Sequence, residues 1–239
     1  GKVAIITGSS RGIGKAIAER MAQHGAKVTI SSRKAGPCDE VAAEINATYG
    51  AGTAIAVPAN ISSKEDLQRL VDETVATFGG VHVLVNNAGF PRDKYLVKMT
   101  EEDWDLVYNV HVKGAFKLTH AAWPHLKRQG YGRIVFTTSS GGTLGNAYLA
   151  AYGTAKGGVM GLMHNLAEAG APHGILCNAL MPNALSRMTS TIQPGELKQL
   201  LALIRGGAER QHALSRKLVL YFELEHAKTA PPPARPWPP

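Results

Sequence analysis

The chain has 239 residues, of which 44% are hydrophobic and 18% are charged. This composition provides a buried core for one ordinary α/β domain and excludes a wholly disordered chain. The net charge is +8, and residues 187–239 carry half of that excess, with 8 basic against 4 acidic side chains. The excess admits an acidic partner such as a phosphorylated cofactor, coenzyme A or nucleic acid. Two cysteines exclude a disulfide scaffold and the usual cysteine-based zinc sites, so we expect a reducing, cytoplasmic location.

Apolar strands alternate with amphipathic helices as far as Leu180. The pattern predicts strands at Lys2–Thr7, Lys27–Ser31, Thr53–Val57, Val81–Val85, Gly132–Thr138 and Gly174–Leu180. It predicts helices at Ile13–His24, Val41–Tyr49, Lys64–Phe78, Glu101–Arg128 and Ala151–Ala169, with Ser62 or Ser63 capping the third and Thr100 the fourth. Strands joined by single helices imply right-handed crossovers. The expected fold is therefore α/β, a Rossmann-type doubly wound parallel sheet in three layers.

The longest uncharged run, Ile134–Ala155, is rich in Thr, Ser, Gly and Asn. A lipid-facing helix does not favour these residues, so we interpret the run as a strand, a loop and a helix start, and we expect no membrane partner. The nine histidines show no compact ligand triad with acids, so we predict no metal site. Most of them are interpreted as surface or satisfied helix residues.

A glycine-rich turn follows the first strand and opens the first helix, with the sequence Thr7-Gly8-Ser9-Ser10-Arg11-Gly12-Ile13-Gly14. Glycines at such a junction allow a tight turn and the close approach of backbone to a pyrophosphate, whose charge lies at the helix N-terminus. The turn therefore predicts dinucleotide binding. Its glycine spacing differs from the common G-x-G-x-x-G fingerprint.

This turn resembles the TGxxxGxG turn of the short-chain dehydrogenase/reductase family, and further motifs agree. Asn86-Asn87-Ala88-Gly89 is similar to the NNAG of the family, and Tyr152-Gly153-Thr154-Ala155-Lys156 to its YxxxK. Ser139 lies at the spacing of the family's serine, and Asn109 matches the asparagine of its long helix. The resemblance extends from Gly1 to about residue 191. We therefore expect a dinucleotide-binding catalytic domain over residues 1–191 and an atypical segment over residues 192–239.

The resemblance implies a catalytic set of Asn109, Ser139, Tyr152 and Lys156. Ser139 should hold the substrate carbonyl, Tyr152 should supply the proton, and Asn109 should anchor a water that relays protons. Lys156 lies one helical turn after Tyr152, and its ammonium is expected to lower the pKa of the phenol. The resemblance also implies cofactor contacts from Gly8, Ser10, Arg11, Gly12, Ile13, Gly14, Arg33, Asn60, Ile61, Asn87, Ala88, Gly89, Tyr152, Lys156, Pro182 and Asn183.

The second strand ends in Ser31-Ser32-Arg33-Lys34, with no carboxylate before Asp39. An NAD enzyme usually places an acid there to bind the ribose hydroxyls. Arg33 and Arg11 could instead bind a 2′-phosphate through charge-assisted hydrogen bonds, although both could equally be solvated surface groups. We expect NADP(H) to be favoured over NAD(H). Asn60 stands where the family usually has an aspartate that binds the adenine amino group.

Segments between residues 109 and 189 resemble the (3R)-hydroxyacyl-CoA dehydrogenase domain of peroxisomal multifunctional enzyme type 2. They are Ala121–Lys127, Tyr131–Val135 and Met181–Thr189. The amino-terminal part is closer to NADP-linked carbonyl reductases. The expected reaction therefore interconverts a ketone and a secondary alcohol, with a 3-oxoacyl thioester or CoA thioester as substrate and a steroid or other bulky ketone as the alternative. We expect a homodimer or homotetramer and no nucleic-acid partner.

Residues 192–239 lack the strand and glycine-rich turn with which the family usually continues. The pattern predicts a helix at Glu196–Arg205, and residues 231–239 (PPPARPWPP) are expected to be an extended tail. The departure leaves a second function open, a cofactor-binding but catalytically impaired homologue that acts by association.

Overall fold

The structure, a computed structural model, describes residues 1–182. Its six strands are β1 (Val3–Thr7), β2 (Lys27–Ser31), β3 (Ala54–Ala56), β4 (Val83–Asn86), β5 (Gly132–Thr137) and β6 (Ile175–Leu180). All neighbouring strands pair in parallel, in the order β3-β2-β1-β4-β5-β6. This is the expected doubly wound sheet, and each predicted strand is found within two residues of its bounds.

The helices are α1 (Gly12–Gln23), α2 (Ala35–Tyr49), α3 (Lys64–Phe78), α4 (Glu101–Tyr108), α5 (Gly114–Gln129) and α6 (Ala150–Gly170). Ser63 caps α3 by accepting from the Asp66 N–H, and Thr100 caps α4 by accepting from the Asp103 N–H. No helix within residues 1–182 is both long and apolar enough to cross a bilayer. The helix predicted at Glu196–Arg205 and the proline-rich tail lie outside the described residues.

Two helical predictions need correction. Helix α2 begins at Ala35, six residues before the predicted start, because the Pro37 nitrogen lies in the first turn, where no intrahelical N–H bond is lost. The predicted helix over Glu101–Arg128 is instead α4 and α5 joined by a π-helical turn at Asn109–Lys113. In this turn the Gly114 N–H donates to the Asn109 carbonyl, which widens the helix by one residue.

The core lies on both faces of the sheet, as alternation along β1 requires. Ile5 packs with apolar residues of α3, α5 and α6 on one face. Ala4 and Ile6 pack with residues of α1 and α2 on the other. Because both faces are covered, the polar groups that remain accessible at the ends of the strands mark where a ligand can bind.

The loop after β5 packs on α6 with backbone against backbone. A Cβ on Gly142 would lie 2.8 Å from the Gly157 nitrogen and 2.9 Å from the Lys156 carbonyl carbon. A Cβ on Gly153 would lie 2.6 Å from the Gly141 carbonyl oxygen. These close approaches require glycine and fix the position of the loop over α6.

We therefore predict that Gly142→Ala destabilises the protein by about 1–3 kcal/mol, because the new methyl group meets rigid backbone. The matched control is Gly161→Ala in α6, where a Cβ would meet nothing within 4 Å. The control should be stabilised by up to about 1 kcal/mol, because alanine favours the helix. Urea unfolding of both variants measures the two changes, and equal stabilities would contradict the packing described.

Candidate active site

Three loops carry the predicted site residues, and all three leave the carboxyl ends of neighbouring strands. The glycine turn follows β1, Asn87–Gly89 follow β4, and Ser139 follows β5. The strand order reverses direction between β1 and β4, and crevices at such switch points bind ligands in open α/β sheets. The topology thus brings most of the predicted residues to one cleft.

Thr7 connects the glycine turn to the loop after β4. Its Oγ1 accepts from the backbone N–H groups of Asn87 and Ala88, both at 3.0 Å, and donates to the Val85 carbonyl at 3.2 Å. The Asn87 side-chain amide donates to the Thr7 carbonyl at 2.8 Å. Asn87 is therefore a structural connection between the two loops, which its predicted role at the cofactor did not include.

The glycine turn has room and free donors for a pyrophosphate. Gly8 and Gly12 have φ values of 67° and 57°, and a Cβ on Gly12 would meet nothing within 4 Å. A Cβ on Gly14 would lie 2.4 Å from the Gly8 carbonyl oxygen, so α1 approaches the turn closely. Helix α1 has no side-chain cap and no acid in its first turn, unlike α3 and α4. Its N–H groups are therefore available to an anion, and the turn fits a dinucleotide.

The end of β2 is held beside this turn. The Ser31 N–H donates to the Ser9 Oγ at 2.9 Å, and the Ser9 N–H donates to the Ser31 carbonyl at 3.1 Å. Arg11 and Arg33 lie on these two connected segments, both exposed. Within residues 1–182 neither guanidinium has a hydrogen bond or ion pair.

The predicted contacts around the adenine and nicotinamide lie in different settings. Asn60 is exposed, and its Oδ1 accepts from the Ser62 N–H at 3.1 Å. The Ile61 side chain is buried, and a Cβ on Gly114 would lie 2.6 Å from it. Pro182 follows β6 and is half-buried, whereas Asn183 lies outside the described residues.

Ser139 and Tyr152 meet across the cleft. Ser139 lies at the end of the loop fixed by the glycine contacts, and its Oγ accepts from the Gly141 N–H at 3.2 Å. Tyr152 lies in the first turn of α6 and is 9% exposed. Ser139 and Tyr152 flank Gly141, where a Cβ would lie 3.7 Å from the Ser139 Oγ and 3.8 Å from the Tyr152 Cδ1, and the serine hydroxyl acts to lower the phenol pKa. Two hydroxyls side by side can both donate to one carbonyl oxygen.

Lys156 lies one helical turn after Tyr152 and is 4% exposed. Its ammonium donates to the Thr137 carbonyl at 2.5 Å, and its Nζ lies 5.6 Å from the centre of the Tyr152 ring. The Thr138 hydroxyl donates to the Lys156 carbonyl at 3.2 Å and fixes the helix backbone at this point. Burial lowers the pKa of Lys156 from 10.5 to about 7, because a desolvated ammonium is costly.

The expected lowering of the Tyr152 pKa is wrong for the structure described. Burial raises the pKa of the phenol, the neighbouring Ser139 hydroxyl offsets only part of this, and the charge of Asp93 raises the pKa further. The physical reason is that the whole helix face is desolvated. The low-dielectric surroundings that disfavour the phenolate also disfavour the protonated, charged form of Lys156.

Asn109 begins the π-helical turn, and its side chain is half-buried. Its carbonyl accepts from the Gly114 N–H. Within the described residues no hydrogen bond joins the Asn109 side chain to Lys156 or Tyr152. Its role as the anchor of a relay water stays a prediction.

His111 is the residue that sequence reasoning missed. We expected most histidines to be surface or satisfied helix residues, but His111 is 3% exposed and its Nδ1 has no partner within residues 1–182. Asn86 Oδ1 and Thr137 Oγ1 are also buried and unpaired there. All three residues, with Lys156, line a cavity of about 10 Å³, close to the smallest volume that holds one water. No sequence signal separates His111 from the other histidines.

The described residues offer no set of side chains that could ligate a metal ion. Residues 1–182 contain no group of three or more His, Cys, Asp or Glu side chains arranged to hold an ion. The cleft instead joins a dinucleotide-binding turn to a pair of hydroxyls and a buried lysine.

Burial of Lys156 predicts a pH-dependent stability. The pKa is about 7 in the folded chain against an ordinary 10.5, so the unfolded chain binds more protons between these values and stability rises with pH across that window. Lys156→Met removes the penalty, and we expect it to raise the free energy of unfolding at pH 7 by roughly 4 kcal/mol. The gain should shrink as the pH approaches 10. Urea unfolding at a series of pH values measures it, and a gain that does not change with pH would contradict this assignment.

Comparison with known proteins supports the geometry. Residues 2–196 match the short chain dehydrogenase family. A peroxisomal multifunctional enzyme A of Dictyostelium discoideum is 44% identical over 207 residues, which are 82% of this chain and 45% of that protein. The peroxisomal multifunctional enzyme type 2 of Mus musculus is 40% identical over 210 residues, 84% of this chain and 28% of that protein.

A shorter relative agrees. The 3-oxoacyl-[acyl-carrier-protein] reductase of Synechocystis is 37% identical over 214 residues, covering 89% of this chain and 86% of that protein. The chain therefore spans less than half the length of the multifunctional enzymes that it matches, but most of the length of the reductase. With a family match over residues 2–196, the chain belongs to the short chain dehydrogenase family.

Proposed function

We propose that the protein interconverts a 3-oxoacyl thioester and the corresponding 3-hydroxyacyl thioester with NADP(H). The observation that carries the reaction type is that Ser139 lies beside Tyr152, which stands one helical turn before buried Lys156. The substrate class rests on the relatives, two named as peroxisomal multifunctional enzymes and one as a 3-oxoacyl-[acyl-carrier-protein] reductase.

The chain's own groups handle the proton. The hydroxyls of Ser139 and Tyr152 donate to the substrate carbonyl oxygen and polarise the bond to carbon. A nicotinamide cofactor, when bound, supplies the hydride that reaches the carbonyl carbon. Tyr152 gives its phenol proton to the oxygen, so a ketone becomes a secondary alcohol and the tyrosine becomes phenolate. In the oxidative direction the phenolate takes the proton back.

Lys156 stabilises that phenolate. A phenolate forming within the buried helix face adds a negative charge near Nζ, and this charge favours the protonated lysine. The pKa near 7 in the described structure means that the lysine can gain or lose its proton at neutral pH. Lys156, Tyr152 and the glycine turn are the groups that would hold the cofactor.

NADP(H) is favoured over NAD(H) by charge at the end of β2. Arg11 and Arg33 are exposed and free of partners within the described part of the chain, on two segments joined through Ser9 and Ser31. No carboxylate stands at the end of this strand to repel a 2′-phosphate. Two guanidiniums at this place suit a phosphate dianion.

We predict that Arg33→Asp weakens NADPH binding by about 10–100-fold, the loss of a charged hydrogen bond, and leaves NADH binding unchanged or improved. Titration of both cofactors by fluorescence measures this. Arg20→Asp, at the opposite end of α1, is the control for net charge and should change neither affinity. An unaltered preference in Arg33→Asp would reject the phosphate site.

Tyr152→Phe tests the chemistry. The variant keeps the ring but loses the proton donor, so we expect turnover of acetoacetyl-CoA to fall by at least about 100-fold while NADPH binding is kept. NADPH oxidation with acetoacetyl-CoA and a panel of small ketones measures turnover. Retained activity in Tyr152→Phe would refute the mechanism, and turnover of simple ketones alone would refute the thioester substrate.

A second candidate function rests on where the family match ends. It stops at residue 196, so the atypical segment from residue 192 gives reason to keep the impaired homologue as an alternative. NADPH binding without turnover of any substrate in the panel would favour it. We also propose homo-oligomers, supported by exposed aromatic side chains on α4 and α5, namely Trp104, Tyr108 and Phe116.

A further inference from the structure

His111 is a buried titratable group that takes no part in the proposed proton transfer. It lies in the π-helical turn and contacts the backbone of the loop after β4. Its Nε2 lies 2.8 Å from the Phe90 carbonyl oxygen and 3.2 Å from the Phe90 nitrogen. In the longer contact the Phe90 N–H donates to Nε2, and in the shorter one the role of Nε2 is set by the ring tautomer. The ring is thus tied to the strand end that carries the Asn87–Gly89 loop.

Gly89 makes the space for this ring. A Cβ on Gly89 would lie 2.3 Å from His111 Cε1 and 2.9 Å from its Nδ1. Any side chain at this position would displace the imidazole. The π-helical turn and the glycine therefore act together to place His111 against bare backbone.

On its other side the imidazole meets Tyr152. The two ring centres are 5.2 Å apart and the planes cross at 85°, an edge-to-face contact. Phe90 lies 5.8 Å from the imidazole, and Val107, Ala151 and Ala155 pack with Tyr152 in the same buried cluster. Edge-to-face contacts are directional, so His111 restrains the plane of the phenol ring.

The imidazole is neutral in the folded protein. Burial, followed by the positive charge of Lys156, lowers the pKa of His111 to about 3, against a smaller opposing effect of the Phe90 bond. A group with this pKa does not exchange protons with substrate near neutral pH. The contribution of His111 to the reaction must therefore come from how it positions the side chains that it contacts.

We propose that His111 is a positioning residue, whose ring packs edge-to-face on Tyr152 and so keeps the phenol hydroxyl beside Ser139. The proposal rests on the proposed function in that it takes Tyr152 to be the proton donor. A positioning role differs from a role in which the His111 side chain only fills space in the core. A space-filling role would affect stability and leave the Ser139–Tyr152 pair unchanged.

Two substitutions separate the ring contact from the backbone bond. His111→Leu removes both, and His111→Phe keeps a ring at the same place but loses the nitrogen. His120→Leu, on the exposed face of α5, is the matched control. We expect kcat with acetoacetyl-CoA to fall about tenfold in His111→Leu, the equivalent of one aromatic contact. It should stay within about threefold of wild type in His111→Phe, with KM and NADPH affinity unchanged in every variant.

The pKa of Tyr152 tests the positioning by a measurement that does not depend on enzyme turnover. Protein labelled with 3-fluorotyrosine is titrated by ¹⁹F NMR, and the Tyr152 resonance is assigned by its loss in Tyr152→Phe. Because the adjacent Ser139 hydroxyl lowers this pKa, misalignment of the phenol in His111→Leu should raise it. The pKa should stay at the wild-type value in His111→Phe and His120→Leu.

An unchanged kcat and an unchanged Tyr152 pKa in His111→Leu would overturn the proposal, whatever the loss of thermal stability. If His111→Leu does not fold, His111→Phe decides, because a kcat lowered tenfold or more there would show that the ring contact is not what matters. Wild-type protein without turnover would reject the proposed function, and the fluorine titration would then test the positioning by itself.

Discussion

The burial of one ammonium group is the constraint on which the rest of the site depends. Lys156 is 4% exposed, and the Thr137 carbonyl is its hydrogen-bond partner among the described residues. The side chain of such a lysine stays buried only if the backbone around it is fixed. Otherwise the charged group would move out to the solvent. The end of β5 does this twice, through the Thr137 carbonyl and through the Thr138 hydroxyl, which bonds to the lysine's own carbonyl.

The packing of glycines and the burial of Lys156 are two parts of one arrangement. The Gly142 backbone lies directly on Lys156 and Gly157, so the loop that covers the lysine also carries Ser139. The contact that covers the lysine backbone therefore also holds the loop that brings the serine beside Tyr152. Desolvation then raises the pKa of Tyr152 and lowers those of Lys156 and His111. In each case the uncharged form is favoured, as a dry site requires.

The sequence was sufficient to predict the sheet and the site-bearing loops that follow its strands. Alternation of apolar strands and helices predicted all six described strands, because buried parallel strands read as short apolar runs between turn residues. The prediction for α2 left out its first turn, which contains Gly36 and Pro37, although a first turn tolerates both. The π-helical turn was missed because one extra residue in a long amphipathic helix barely alters its periodicity.

The candidate site was predicted in its residue types but not in its electrostatics. Motif spacing identified Ser139, Tyr152 and Lys156, and the structure brings them together. Spacing carries no information on desolvation, so the direction of the Tyr152 pKa was wrong. His111 could not be found for a related reason, because its importance comes from the missing side chain of Gly89, a residue far from it in the chain. Only coordinates show such a pair.

Lys156 is desolvated enough to titrate near neutral pH, and its pKa can be measured directly. Protein labelled with ¹³C at the lysine Cε positions is titrated by NMR, with the Lys156 resonance assigned by its loss in Lys156→Met. We expect a midpoint at about 7 for the cofactor-free protein. A midpoint at the ordinary value of 10.5 would contradict it, because a lysine that titrates there is solvated or paired with a carboxylate.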